Sequence, residues 1–281
     1  MQTSVDLHER AVSHVAARVR DLVGRGEPVH IDKGGVHHVV PLASDARFRS
    51  RPIDISGLDH ILSIDASASV CVAEPGVTFS ELVRATLSHG LVPAVVPELK
   101  EITVGGAVAG CSIESSSFRH GGFHDTALEY EVVTGDGRVI TCSRDENPLA
   151  FGMIHGSYGT LGILTKLTFR LVPAAPYVRM EYRTYPSAAE FTSAMTEVCQ
   201  SGSVDFVDGI AHGPDRWVLC LGTFTEQPPY TSDYTWLDIF YKSTVRRSED
   251  YLSTYDYFFR YDTEAHWMTA TIPPLQWKPV R

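Results

Sequence analysis

A chain of 281 residues that is 43% hydrophobic and 21% charged can bury a normal core in one large domain or two ordinary ones, which excludes a disordered protein. Its net charge of −10, with no cluster of lysine and arginine, argues against nucleic acid as a partner. Five cysteines (Cys71, Cys111, Cys142, Cys199 and Cys220) are dispersed without CxxC spacing, so they read as reduced thiols of a cytoplasmic protein and offer no metal site.

The N-terminus carries charges throughout and reads as neither a signal peptide nor a membrane anchor. Val12, Val15, Val19 and Leu22 recur at helical spacing and predict a helix over 8–24. A short strand at 28–31 runs into the loop Lys33-Gly34-Gly35-Val36-His37, and further strands are expected near Ile53–Ile55, Ile61–Ile64 and Val70–Ala73. Pro75-Gly76 is a turn, after which Thr78 or Ser80 caps a helix through Phe79, Leu82, Val83 and Leu87 that Gly90 stops. Leu128–Thr134 and Arg138–Cys142, joined by Gly135-Asp136-Gly137, form a hairpin. Ile163–Leu171 alternates as a strand, and Val172–Pro176 is the candidate linker. Beyond it a strand (Val178–Tyr185), a helix (Ser187–Cys199) and two strands near Val204–Ile210 and Arg216–Gly222 make a second α+β pattern.

The segment 92–122 gathers Gly105, Gly106, Gly110, Gly121, Gly122 and the serines Ser115–Ser117, with no lysine near the glycines. It is neither GxGxxG nor a P-loop. Glycine-bared backbone can approach a ligand closely, and N–H groups that open a helix attract anions, so the segment reads either as a diphosphate grip for a dinucleotide or as tight helix packing. Two more glycine loops, Lys33–His37 and Gly156–Gly162, lie in the same half of the chain, and three such loops can converge on one extended cofactor. His120 and His124 are nearby groups that titrate in a useful range, while Cys111 sits in an apolar context suited to packing. Glu114 and Arg119 read as a structural pair, or Arg119 as a group facing negative charge on a cofactor. The aromatic-rich run Tyr230–Trp277 reads equally as a substrate pocket or as core.

The run Pro97-Glu98-Leu99, Thr103-Val104-Gly105-Gly106, Gly110, Ile113-Glu114-Ser115-Ser116-Ser117 and Gly121 closely resembles sterol delta-24 reductases of the vanillyl-alcohol-oxidase type of FAD-binding proteins. Glu129, Asp136-Gly137, Cys142, Glu146-Asn147 and Gly159-Thr160-Leu161-Gly162 continue the pattern in order, and Asp205-Phe206-Val207, Tyr241-Lys242 and Tyr251-Leu252 extend it more thinly. The resemblance implies an α+β fold: a PCMH-type FAD-binding domain of two α+β subdomains over 1–173 and a partial α+β cap over 174–281. It implies non-covalent FAD, because Val36 separates His37 from the glycine pair, with NADPH as a candidate electron donor. The implied cofactor-binding residues are Lys33, Gly34, Gly35, Val36, His37, Thr103, Val104, Gly105, Gly106, Gly110, Ser112, Ile113, Glu114, Ser115, Ser116, Gly159, Thr160, Gly162 and Ile163, with Arg119 and His120 as candidate catalytic residues. The reaction implied is reduction of a carbon–carbon double bond in a hydrophobic substrate. An oxidase of alcohols or sugar lactones is the alternative within the fold, and a flavin-binding subunit without activity of its own is the alternative outside it. Animal and plant sterol reductases carry an N-terminal anchor, and the resemblance places the start of this sequence where that anchor would end and its stop at Arg281 within the cap. No membrane anchor and a homo-oligomer or a partner chain completing the cap are therefore expected.

Overall fold

Apolar residues at helical spacing dictate the first element. In the computed structural model, which describes residues 4–34, 44–235 and 238–263, helix α1 (Ser4–Gly24) buries Val12, Val15, Ala16, Val19 and Leu22 along one stripe. That stripe packs on Ile53, Ile55, Leu58, Val133 and Ile163. Each such side chain contributes roughly 1.5–3 kcal/mol by leaving water. The chain then forms β1 (Val29–Asp32) and β2 (Arg51–Asp54), a parallel pair, followed by β3 (Ile61–Asp65) and β4 (Val70–Ala73).

Helix α2 (Phe79–Leu87) starts at Thr78, which closes a capping box with Glu81. Next come β5 (Leu91–Pro93), α3 (Val104–Ala109), the single turn α4 (Ser117–His120), the hairpin β6 (Ala127–Val133) and β7 (Val139–Ser143), α5 (Pro148–Ile154) and the long strand β8 (Ile163–Pro173). Leu167, Phe169 and Leu171 of β8 point inward while Lys166, Thr168 and Arg170 are less buried, the period of two that a half-buried strand requires. β8 pairs antiparallel with β4, β6 and β5, giving the order β3-β4-β8-β6-β7 with β5 on the far end of β8. Val172 and Pro173 belong to that β5 pairing, so only Ala174–Pro176 connects to the next strand.

The remaining elements are β9 (Tyr177–Tyr185), α6 (Ala188–Ser201), β10 (Phe206–Gly213), β11 (Arg216–Thr225), α7 (Phe240–Ser243), β12 (Glu249–Ser253) and α8 (Thr254–Phe258). They form an antiparallel sheet ordered β10-β11-β9-β12. Its core joins Phe191 and Val198 of α6 to Val207, Leu219 and Leu221 of the sheet. Helices with antiparallel sheets make the α+β fold that the sequence predicts.

The chain divides into two compact units. The first comprises Met1–Val95, Glu101–Ile113 and His120–Pro173; the second comprises Val96–Lys100, Glu114–Arg119 and Ala174–Arg281. Among the described residues no helix is long and apolar enough to cross a membrane.

Candidate cofactor site

Within the first unit the Gly156–Gly162 loop is laced to the glycine-bearing helix α3 and set against the strand that leads into the Lys33 loop. The amide of Gly156 donates to the carbonyl of Val108 at 3.2 Å, and that of Tyr158 donates to Ala109 at 3.0 Å, so the loop after α5 is laced to the end of α3. Gly159 (φ 75°) lies against the end of β1, where a Cβ would stand 2.7 Å from Ile31. Its left-handed backbone requires glycine. β1 in turn leads to Lys33, half-buried and held below the ordinary lysine range by burial, and to Gly34. Gly35, Val36 and His37, like His38, lie outside the described residues.

At α3 the amides expected to form an anion-binding concavity already have acceptors. Val104 N–H donates to the carbonyl of Val77 at 3.0 Å, Gly105 N–H to Pro75 at 2.9 Å and Gly106 N–H to the Thr103 hydroxyl at 3.3 Å. Gly105 is buried, and a Cβ there would stand 2.5 Å from that of Pro75, so its missing side chain is explained by internal packing. Gly106 and Gly110 are exposed, and a Cβ on Gly106 would meet only the Thr103 hydroxyl at 3.1 Å. What this helix offers a ligand is bare backbone surface. Around it Thr160 is exposed with its hydroxyl donating to Ser157, Gly162 backs onto Val132, and Ile163 is buried at the start of β8. Ile113 and Tyr158 are 72% and 79% exposed, a high exposure for large apolar side chains. Glycine surface flanked by exposed apolar groups fits a large, partly aromatic dinucleotide such as FAD.

The Glu114–Arg119 stretch belongs to the second unit. Arg119 does not pair with Glu114: its guanidinium donates to the carbonyls of Gly202 and Val204, both at 2.8 Å, and reaches Asp205 at 3.3 Å. The Ser115 carbonyl accepts the amide of Val207 at 2.9 Å, and the Ser115 and Tyr257 hydroxyls meet at 3.0 Å. Ser116 is buried as well. The stretch is thus a strap across β10 and α8, which deprives Arg119 of the freedom a cofactor-facing role needs. Ser112 stays in the first unit, its carbonyl accepting from Phe123 at 2.9 Å, and His120 is half-buried.

The strap delivers Glu114 to Arg260, 3.7 Å away. Arg260 is completely buried, ion-paired with Asp208, and enclosed by the rings of Tyr257 and Tyr261 at 4.2 and 4.7 Å. Burial pushes Glu114 up to about 7, with Arg260 opposing and Asp208 and Glu98 adding to the rise. Glu98 is raised by burial too. Sequence reasoning misses Arg260 and Asp208, because the only local signal is an arginine inside an aromatic run. Tyr234, Phe240, Tyr251, Tyr257, Phe258 and Phe259 of that run are buried core, while Trp236, Trp267 and Trp277 lie outside the described residues.

Other titratable groups of the first unit serve structure. The rings of His124 and His155 meet at a tilt with centroids 4.9 Å apart, and His155 Nε2 pairs with the Tyr130 hydroxyl at 3.0 Å. Asp59, His60 and Glu74 gather three ligand-type atoms within 4.8 Å, but Glu74 already serves His8 and His60. Burial pushes Glu131 up, yet hydrogen bonds with His8 and Thr165 outweigh it and hold the carboxyl at about 2.

Residues 10–143 match the FAD binding domain family. The Delta(24)-sterol reductase of Homo sapiens is 27% identical over 98% of this chain and 55% of its own length. That of Pisum sativum is 27% identical over 82% of this chain and 45% of its own length. Cytokinin dehydrogenase 7 of Oryza sativa subsp. japonica is 33% identical over 57% of this chain and 30% of its own. The chain therefore spans about half the length of the sterol reductases it matches. Over residues 10–143 the chain thus matches the FAD binding domain family, and delta(24)-sterol reductases are among the proteins it is similar to.

Proposed function

We propose that this chain binds FAD non-covalently through its first unit and reduces a carbon–carbon double bond of a hydrophobic, sterol- or terpenoid-like substrate, with NADPH as electron donor. The observation that carries the cofactor half is the lacing of Gly156 and Tyr158 to α3 and the seating of Gly159 on β1, which sets two glycine loops beside the strand that leads into the third. The substrate half is supported by sterol reductases matching nearly the whole chain. FAD, when bound, supplies hydride transfer at its ring. The protein supplies the hold: Gly34 with its neighbours through His37, the Thr103–Gly106 and Gly110 backbone, Ser112 and Ile113, and Gly159, Thr160, Gly162 and Ile163. His120 remains the candidate for proton movement.

The rice relative, a dehydrogenase by name, favours a second reading in which an alcohol or sugar lactone is oxidised. One spectrum separates them. Purified protein is expected to be yellow, to release all its colour on acid precipitation, and to bleach on addition of NADPH. Colour retained in the pellet overturns non-covalent binding, and oxygen uptake with a sugar lactone or alcohol favours the oxidase. A colourless protein that takes up no added FAD sinks the whole reading.

A further inference from the structure

The Gly156–Gly162 loop is rooted in one side chain, that of His155, the residue that caps the end of α5. His155 Nε2 lies 3.0 Å from the Tyr130 hydroxyl of β6, and the next residue, Gly156, makes the first of the two backbone bonds that lace the loop to α3. Tyr130 is completely buried, and burial pushes its hydroxyl far above the ordinary phenol range, so it keeps a proton that needs an acceptor. Among the described residues His155 is the one hydrogen-bond partner of that hydroxyl. The imidazole that satisfies it is neutral and carries its proton on Nδ1, leaving Nε2 to accept. A second proton, on Nε2, turns the acceptor into a donor and leaves the buried phenol donor unpaired, which is costly. The surroundings also resist a charge on the ring. It packs against the rings of Phe151 and Tyr130, with centroids at 5.2 and 5.7 Å, and meets His124 at 4.9 Å. Burial, His124 and Arg144 hold His155 below the ordinary histidine range, against the pull of Asp125. Tyr130 and Cys142 are kept neutral by burial, the Cys111 thiol lies beside Gly156, and α5 itself carries no titratable group.

We propose that His155 is an acid-sensitive latch on the Gly156–Gly162 loop: neutral, it accepts the Tyr130 hydroxyl and keeps the loop on α3, and protonated, it gives up the hydroxyl and lets the loop go. A histidine whose charged form the fold disfavours keeps its hold above about 6.5, its ordinary value, and loses it as pH falls. The latch stands on contacts within the first unit, and only the identity of the ligand it would release, FAD, rests on the proposed function. Amide exchange of the full chain, corrected for the intrinsic effect of pH, reads the loop directly. Protection of the Gly156 and Tyr158 amides should fall about tenfold from pH 7 to pH 5, while amides of β6 and β8 keep theirs. Added FAD should bind about tenfold more weakly at pH 5 than at pH 7. His155→Gln offers Tyr130 a carbonyl oxygen that does not titrate, so its loop protection should stay flat over that range. An imidazole nitrogen spectrum of the parent at pH 7 should show the His155 proton on Nδ1. Unchanged protection in the parent, an equal loss in β6 and β8, a loss retained in folded His155→Gln, or a proton found on Nε2 at pH 7 overturns the proposal. The parent measurements need no variant, so instability of His155→Gln leaves them decisive. FAD uptake read on the same samples separates the two readings: a chain whose loop loosens at pH 5 but which takes up no FAD sinks only the flavin, and a chain that holds FAD with its loop equally protected at both values sinks only the latch.

Discussion

His8 lies between two carboxylates, its Nδ1 2.7 Å from Glu74 and its Nε2 2.9 Å from Glu131. Those hydrogen bonds, Glu131's the stronger, raise it to about 9 against the opposing effect of burial. A histidine raised in the folded state stabilises fully below its ordinary value near 6.5 and loses that contribution as pH climbs through about 9. The interval corresponds to at most about 3 kcal/mol. His8→Gln should therefore unfold well before the parent at pH 6 in urea titrations, and the gap should close by pH 10; a gap independent of pH would show that the ring is neutral. Glu114 acts lower on the scale. Burial holds it at about 7, above its ordinary 4.5, so the folded chain keeps a proton that the unfolded chain gives up, and stability falls as pH rises between those values. Glu114→Gln should gain on the parent between pH 5 and pH 8, read in the same titrations, and a difference that stays flat over that range would mean Arg260 keeps the carboxylate ionised. Neither role is legible in the sequence, because His8, Glu74 and Glu131, or Glu114, Asp208 and Arg260, meet only through the fold.

Elements are legible where the cause is local. The α1 stripe follows from side-chain period, the β6–β7 hairpin from its Gly-Asp-Gly turn, and the start of α2 from the Thr78–Glu81 capping box. β5 escapes because it has three residues inside an apolar run, and β12 and α8 because their aromatic sequence is apolar on every side. α3 is the instructive case: its glycines stand out in the sequence, but what each one faces does not. Gly105 meets Pro75 from the preceding turn, whereas Gly106 meets solvent and the Thr103 hydroxyl. Alanine at Gly105 must push Pro75 aside, an overpacking cost of about 1–3 kcal/mol, so Gly105→Ala should melt several degrees lower in calorimetry. Gly106→Ala should melt like the parent, and Gly106→Val should keep the fold while losing FAD. If Gly106→Val holds FAD with unchanged affinity, the exposed face of α3 is not part of the cofactor grip.

At the scale of the whole molecule, a single cut near residue 173 is what the sequence suggests, and the chain in space is interleaved. Two short stretches, Val96–Lys100 and Glu114–Arg119, leave the first unit's run of sequence to join the second unit's core. Sequence alone places Ser115–Ser117 with the cofactor loops, since nothing local announces which core a strap docks on. The docking is substantial. Lys100 N–H donates to Asp262 at 3.0 Å, Ser115 accepts from Val207, Arg119 donates to two carbonyls, and Phe118 packs on the α6 core. At about 0.5–1.5 kcal/mol per hydrogen bond and about 1.5–3 for the ring, these contacts are worth about 4–9 kcal/mol. A domain's whole stability is about 5–15 kcal/mol. A fragment of residues 174–281 lacks both stretches and leaves Arg260 without Glu114. It should therefore show no cooperative urea transition and a poorly dispersed amide spectrum, although every strand of its sheet is present. A sharp transition and a dispersed spectrum from that fragment would mean that the two inserted stretches merely rest on a unit stable without them.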